Sequence, residues 1–175
     1  MIVRAIKGLE DVISFTVVMP FWQRTKPNDP SDEHCGWVFS NPDGGPIRNS
    51  IGLGGPFPSS YPGNEPDPHF GVGSVRELYE RVGQIGGKNT VPVLFDKKLK
   101  TIVSNESSEI IQMLNSEFND LAGSPEIDLQ PIDLKSAMEE VDKWIYPTFN
   151  DGVYRSVSQP FSCVRYCNCA SQKQR

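Results

Sequence analysis

The chain is short of basic charge, of histidine, and of cysteine outside its C-terminal tail. Each shortage removes a class of function. Lys and Arg number 17 against 22 Asp and Glu, a formal net charge of −5 over 175 residues. No basic face is available for a phosphate backbone, so no nucleic-acid partner is expected. No stretch approaches the roughly 18 consecutive apolar residues of a helical membrane span. Hydrophobic residues make up 37% of the chain and mean hydropathy is −0.39, so no membrane partner is expected either. Met1-Ile2-Val3-Arg4-Ala5-Ile6-Lys7 has no charged region followed by an apolar core, which reads as no secretory signal and a reducing, cytoplasmic location.

Of the four cysteines, Cys163, Cys167 and Cys169 lie in the tail and only Cys35 lies elsewhere. C-x3-C-x-C is not a usual zinc spacing, and Cys35 with the nearby His34 would have to complete a site, so no metal is expected. Disulfides would need an oxidising compartment, which nothing in the sequence supports. The two histidines, His34 and His69, have no partner in the pattern that suggests catalysis, and His69 is expected to be exposed. Gly52-Leu53-Gly54-Gly55 lacks the following Lys-Ser/Thr of a phosphate loop and does not follow a strand, which excludes nucleotide binding.

What is present is punctuated unevenly. Seven prolines and eight glycines, about half of each type, fall in the 33 residues from Asn41 to Gly73. Such a stretch reads as a long surface loop or insertion, 41–73. Before it, Ile2, Ile6, Leu9 and Ile13 recur at helical spacing, the end of an amphipathic helix over 2–12. Ile13–Met19 is β-rich, stops at Pro20 and reads as a strand. After the loop, Ser74 and Glu77 form a capping box for a helix with Val75, Leu78, Tyr79, Val82 and Ile85 on one face, ended by Gly86-Gly87. Asp133 is expected to cap a last helix whose Leu134, Met138, Val141 and Ile145 form a stripe that implies a partner helix.

The densest chemistry lies between, in Thr90–Glu117. Two strand-like runs, Val91–Phe95 and Thr101–Val103, flank a Lys-rich turn in which Lys97, Lys98 and Lys100 read as a solvated face and Asp96 as a turn residue. Pro92 cannot donate to a ladder and marks an edge, bulge or bend, leaving backbone groups free for a peptide-like ligand. The second run leads into Ser104-Asn105-Glu106-Ser107 and a helix with Ile110, Ile111, Leu114 and Phe118 on its buried stripe. Free N–H groups and partial positive charge at that helix start favour a carboxylate, and Glu106 suits an ammonium. The arrangement fits a zwitterionic peptide-like molecule; an N-terminal cap without a ligand is the plainer alternative.

Thr90-Val91-Pro92 followed by Ser104-Asn105-Glu106-Ser107-Ser108-Glu109-Ile110-Ile111 resembles the glutathione-binding half of a thioredoxin-fold domain. The resemblance is to the glutathionyl-hydroquinone reductases, the xi class of the glutathione transferases. Lys7-Gly8-Leu9, Cys35-Gly36-Trp37-Val38-Phe39, Leu94-Phe95-Asp96-Lys97-Lys98 and Asn150-Asp151-Gly152-Val153-Tyr154 agree with it, so that it covers about residues 4 to 155. It implies an α/β fold: an incomplete thioredoxin-like glutathione transferase N-terminal domain (1–119) followed by the start of an all-α C-terminal domain (133–155). Residues 120–132 read as a linker and 156–175 as a divergent, disordered tail.

The resemblance also implies roles. Glutathione would be the co-substrate, its γ-glutamyl carboxylate on Ser107 and the helix N–H groups and its ammonium on Glu106. Val91 would pair its backbone with the cysteinyl part, with Pro92 in the cis form. Trp37 aligns with a tryptophan lining that site, although a core aromatic is an equal reading. Tyr154 aligns with a substrate-side tyrosine able to polarise a quinol oxygen of a quinone-derived substrate. The family's nucleophile sits in a Cys-Pro-Trp-Ala motif after a first strand. Here Met1-Ile2-Val3 aligns with the middle of the following helix, and Cys35 occupies a position the family does not use for chemistry. Thiol chemistry is therefore expected to be impaired. Ile13–Met19 and Val91–Phe95 would flank the missing strand, so either they close up, another segment fills the slot, or the domain is unstable. Both ends read as an alternative transcript or gene model of a larger enzyme. The alternative reading is a non-catalytic glutathione-binding fragment, or a partner in a homodimer or in a heterodimer with a full-length paralogue.

Overall fold

The computed structural model describes residues 1–48 and 54–158. The Cys-rich tail and the Gly52-Leu53 part of the glycine run lie outside the described residues. Two units are distinguished: residues 15–107, and residues 1–14 with 108–158.

The first of these units is built on two antiparallel hairpins and one helix. Strands β1 (Gln23–Arg24) and β2 (Cys35–Gly36) pair with each other, and β3 (Leu94–Asp96) pairs with β4 (Thr101–Ser104). Ile13–Met19 does not form the strand its composition suggests. Val17 makes only an isolated parallel bridge to Asn64, and the Met19 N–H donates to Val38. β-rich composition needs a neighbouring ladder to become a strand, and among the described residues no strand pairs along this segment. The Asn64 amide donates to the carbonyls of Val17 and Val18 at 3.0 and 2.6 Å.

Helix α2 (Val75–Arg81) follows the expected start. The Ser74 hydroxyl accepts from the Glu77 N–H, and the Glu77 carboxylate accepts from the Gly73 N–H at 2.8 Å. The reciprocal bond thus reaches one residue further upstream than in the usual capping box. Val75, Leu78 and Tyr79 are buried. The helix ends earlier than Gly86-Gly87 would place it. Gly83 at φ +82° donates to Glu80 O and Gln84 to Tyr79 O, a Schellman pair that satisfies two terminal carbonyls. Ile85 consequently lies beyond the helix and is 82% exposed. Leu78→Ala removes a side chain that is 5% exposed and should lower unfolding free energy by about 2–5 kcal/mol, read by urea denaturation.

The Pro/Gly stretch is irregular, as expected, but it is tied down. Ile47 and Phe57 exchange backbone bonds of 2.8 and 2.7 Å, and Phe21 packs on Phe57 and Tyr61. The buried Asp67 carboxylate accepts from the N–H groups of His69, Phe70 and Val72. His69 is half-buried rather than exposed, stacked on Phe95 at 4.4 Å, because this turn presents its ring to β3. Lys100 likewise lies over the Phe70 ring, so the hairpin turn is not solely a solvated face.

In the second unit, helix α1 spans only Ile2–Ile6. The expected helix over 2–12 stops because Gly8 turns left-handed (φ +64°) and runs against Gly123, where a Cβ would meet Cα at 3.1 Å. Ile2 and Ile6 are exposed, and Leu9 is fully buried. Lys7 is fully buried too, its ammonium donating to Ile127 O at 2.6 Å and Pro125 O at 3.5 Å. The Gly123 and Ser124 N–H groups return bonds to Gly8 O and Lys7 O. Helix α3 (Ser107–Ser116) buries Leu114, while Ile110 and Phe118 are half-buried and Ile111 is exposed.

Helix α4 (Lys135–Ile145) is capped by Leu134 without a side-chain bond, not by Asp133. Its chain runs through a π-helical turn, Tyr146–Asn150, into α5 (Asp151–Ser158). Pro147 supplies the cause: it has no N–H to continue the i→i−4 ladder, and its ring crowds the preceding turn. The Thr148 hydroxyl donates to Trp144 O and the Arg155 guanidinium to Pro147 O, occupying carbonyls there.

Candidate functional site

In residues 15–107 the structure brings two of the sequence-derived pairs together through their neighbours. Thr90 precedes Val91-Pro92 and Asn105 precedes Glu106-Ser107, and Asn105 Nδ2 donates to Thr90 Oγ1 at 3.0 Å. Leu94 also pairs with Ser104 at the end of the β3–β4 ladder. The strand begins at Leu94 rather than Val91, since Pro92 has no N–H to offer a ladder. The Val91-Pro92 peptide is cis. Among the described residues, neither the N–H nor the C=O of Val91 is engaged by the chain.

Glu106 and Ser107 stand where β4 passes into α3. The Ser104 hydroxyl accepts from the Glu106 N–H at 3.0 Å and turns the chain so that Ser107 opens the helix. Both side chains are exposed, and among the described residues neither is bonded to the chain. The first-turn N–H groups of α3 have no intrahelical acceptor. An exposed carboxylate, an exposed hydroxyl, a helix start and an unpaired peptide group can hold the two ends and the middle of a small zwitterionic peptide.

Trp37 is half-buried, and its ring meets the half-exposed Trp22 edge-to-face at 6.0 Å. Its carbonyl accepts from the Val75 N–H at the start of α2. Tyr154 lies on α5, in the other unit, and is 75% exposed. Cys35 is buried in β2, its thiol against Glu33 O at 3.5 Å. No group of three or more potential metal ligands exists among the described residues.

Sequence reasoning named Thr90 only as part of a motif and Tyr79 only as part of a helix face, without a link between them. The Tyr79 hydroxyl donates to Thr90 O at 2.9 Å. A phenol on an apolar helix face that needs a buried partner was the available signal.

A separate cleft of about 280 Å3 is lined in part by Asp32, His34, Arg76 and Glu80. Its charges satisfy one another. Arg76 bonds Asp32 at 2.7 Å and Glu80 at 3.0 Å, and Lys26 bonds Glu80 at 2.9 Å. The His34 N–H and then Arg76 hold the Asp32 carboxyl below its usual range, and Lys26 and then Arg76 do the same for Glu80. Burial, and after it Arg76, pushes the His34 imidazole down. The unfolded chain therefore takes up a proton at His34 before the folded one does, and stability falls as pH drops below about 6.5. The carboxylates stabilise the fold above their ordinary pKa, and that contribution is lost as pH falls below about 4. Thermal melts at pH 7.5, 5.5 and 3 should show successive decreases, the first absent in His34→Gln.

No family model matches the chain. Among curated proteins it is similar to the glutathionyl-hydroquinone reductase YqjG of Escherichia coli (strain K12), 36% identical over 157 residues, 89% of this chain and 39% of that protein. Among solved structures it superposes on glutathione transferase Xi 1 from Trametes versicolor with a TM-score of 0.72 and 38% identity, covering 95% of this chain and 49% of that one. The glutathione-bound structure of YqjG gives a TM-score of 0.70 and 34% identity over 96% of this chain and 45% of that one. The chain thus spans less than half the length of the relatives it matches. Over that span it belongs to the Xi class of the glutathione transferases, the family of the glutathionyl-hydroquinone reductases, with a thioredoxin-like α/β domain followed by the start of a helical domain.

Proposed function

We propose that this chain binds glutathione at Val91, Glu106 and Ser107. The observation that carries the reading is the pairing of Thr90 with Asn105, which sets an unengaged Val91 peptide group beside an exposed carboxylate and hydroxyl at a helix start. Glu106 takes the γ-glutamyl ammonium, Ser107 and the α3 N–H groups take the carboxylate, and Val91 pairs with the cysteinyl backbone. Trp37 is the aromatic wall of this reading. The glutathione-bound relative supports it.

The family's thiol step is a second matter. Reduction of a glutathionyl-hydroquinone begins with a thiolate attacking the thioether sulfur to form a mixed disulfide, the aryl carbon taking up a proton as the hydroquinone leaves. A second glutathione then resolves the mixed disulfide to give oxidised glutathione and the free thiol. The 175 residues contain no Cys-Pro-Trp-Ala, and Cys35 is buried. Thiol exchange is slow without an accessible low-pKa thiolate, so turnover by this chain alone should be small and unchanged by Cys35→Ser. Tyr154 would face a quinone-derived substrate only in a complete substrate site. The reading keeps the chain in a reducing, cytoplasmic setting where glutathione is abundant.

A non-catalytic glutathione-binding partner in a homodimer, or in a heterodimer with a full-length paralogue, is the alternative. The exposure of Leu134, Val141, Trp144, Phe149 and Val153 along α4, the π turn and α5 favours it. Calorimetric titration with glutathione and with the dipeptide Cys-Gly separates the claims. Glutathione should bind and Cys-Gly, lacking the γ-glutamyl end, should bind at least tenfold more weakly. Equal affinities would remove Glu106 and Ser107 from the site.

A further inference from the structure

We propose that Tyr79 and Asn105 are positioning residues that hold the two halves of the glutathione platform at a fixed spacing, an inference that rests on the reading above. Thr90 is fastened at all three of its polar groups. Its N–H donates to Lys88 O at 3.0 Å, its carbonyl accepts from the Tyr79 hydroxyl at 2.9 Å, and its hydroxyl oxygen accepts from Asn105 Nδ2 at 3.0 Å. The next residue, Val91, offers its peptide group to the ligand and lies three residues before the first ladder position of β3. A segment outside a ladder has no regular hydrogen bonds to fix its φ and ψ, and ordering one residue on binding costs about 1–2 kcal/mol.

The two fasteners come from different elements. Tyr79 is 3% exposed in α2, a helix fixed at one end by Ser74 and at the other by the Gly83 turn. Its hydroxyl reaches Thr90 from a rigid base and orients the peptide plane that leads into Val91. Asn105 comes from the other side, immediately before Glu106. One side-chain bond therefore spans from the residue before Val91 to the residue before Glu106. A tripeptide gripped at its cysteinyl backbone and at its γ-glutamyl end requires those two points at one separation. Setting that separation before the ligand arrives reduces the ordering cost on binding. Neither Tyr79 nor Asn105 needs to touch glutathione for this role.

The test uses the whole chain with Tyr79→Phe, Asn105→Ala, Thr90→Val and Thr90→Ser. Glutathione affinity is measured by calorimetry at 25 °C, melting midpoints by circular dichroism, and Val91 amide exchange without ligand by NMR. Loss of a single positioning hydrogen bond should weaken glutathione binding about 2- to 10-fold. Tyr79→Phe, Asn105→Ala and Thr90→Val should each do so, with faster Val91 exchange in the free protein. Thr90→Ser, which keeps the hydroxyl, should bind like the parent. The Thr90→Val/Asn105→Ala double variant should be no weaker than either single one, because both remove the same bond. A merely structural role would lower the midpoint and leave affinity at 25 °C unchanged. If the parent binds glutathione and folded Tyr79→Phe and Asn105→Ala bind equally well, the positioning role is overturned and the platform stands. If the parent does not bind, the platform is overturned and the positioning role with it.

Discussion

Glu106→Ala is expected to weaken glutathione binding by roughly 10- to 100-fold. That range is what loss of one charge-assisted hydrogen bond, about 1.5–3 kcal/mol, gives. The carboxylate is exposed and makes no bond to the described chain, so its removal opens no cavity and leaves no orphaned partner. The melting midpoint should move by less than about 2 °C, as for a surface substitution. This separates it from Tyr79→Phe, whose hydroxyl is bonded within the fold. Ser107→Ala should act in the same direction with a smaller effect, since the α3 N–H groups remain for the carboxylate. Calorimetry of the three variants checks the order. An unchanged affinity in Glu106→Ala would leave the helix start as an ordinary cap.

The second large effect concerns stability. Lys7→Ala should lower unfolding free energy by about 2–4 kcal/mol, through the lost apolar stem and through carbonyls left without a donor. For a chain of this size that corresponds to roughly 5–15 °C in melting midpoint. Lys7 is fully buried, and its ammonium bonds Ile127 O, so it clasps the 123–127 segment to the end of α1. Lys7→Met retains the stem and should recover part of the loss. Gly8→Ala should destabilise by at least about 1–2 kcal/mol, since φ there is +64° and Gly123 stands 3.1 Å from the added Cβ. Urea denaturation of the three variants gives the comparison.

Lys7-Gly8-Leu9 shows what a sequence can and cannot reveal. The tripeptide matched a family pattern, yet its periodicity pointed to a longer amphipathic helix. A buried lysine whose ammonium donates to backbone carbonyls more than a hundred residues away leaves no local signal. Ser74 with Glu77, the β3–β4 hairpin and the turn at Asp96 were legible because their causes are local. Asp96 Oδ1 accepts from the Lys98 and Leu99 N–H groups within three residues. α2 ends short of Gly86-Gly87 because Gly83, nearer the helix, already turns left-handed at φ +82°. Ile13–Met19 had strand composition without a ladder partner, and partners are not written in composition. His69 was read as exposed from its Pro/Gly surroundings, and only the Asp67 turn brings it onto Phe95. Within the candidate site, the ligand-facing residues were readable from charge and helix-start chemistry, whereas Thr90, Tyr79 and Asn105 were not, since a support bond is a property of the fold.

The most direct test of the glutathione platform is a two-dimensional NMR titration of the isotopically labelled chain with glutathione. The account predicts saturable shifts concentrated at the Val91, Glu106 and Ser107 amides, with little change at Asp32, His34 and Arg76. Shifts confined to that charged cleft, or none up to millimolar glutathione, would contradict it.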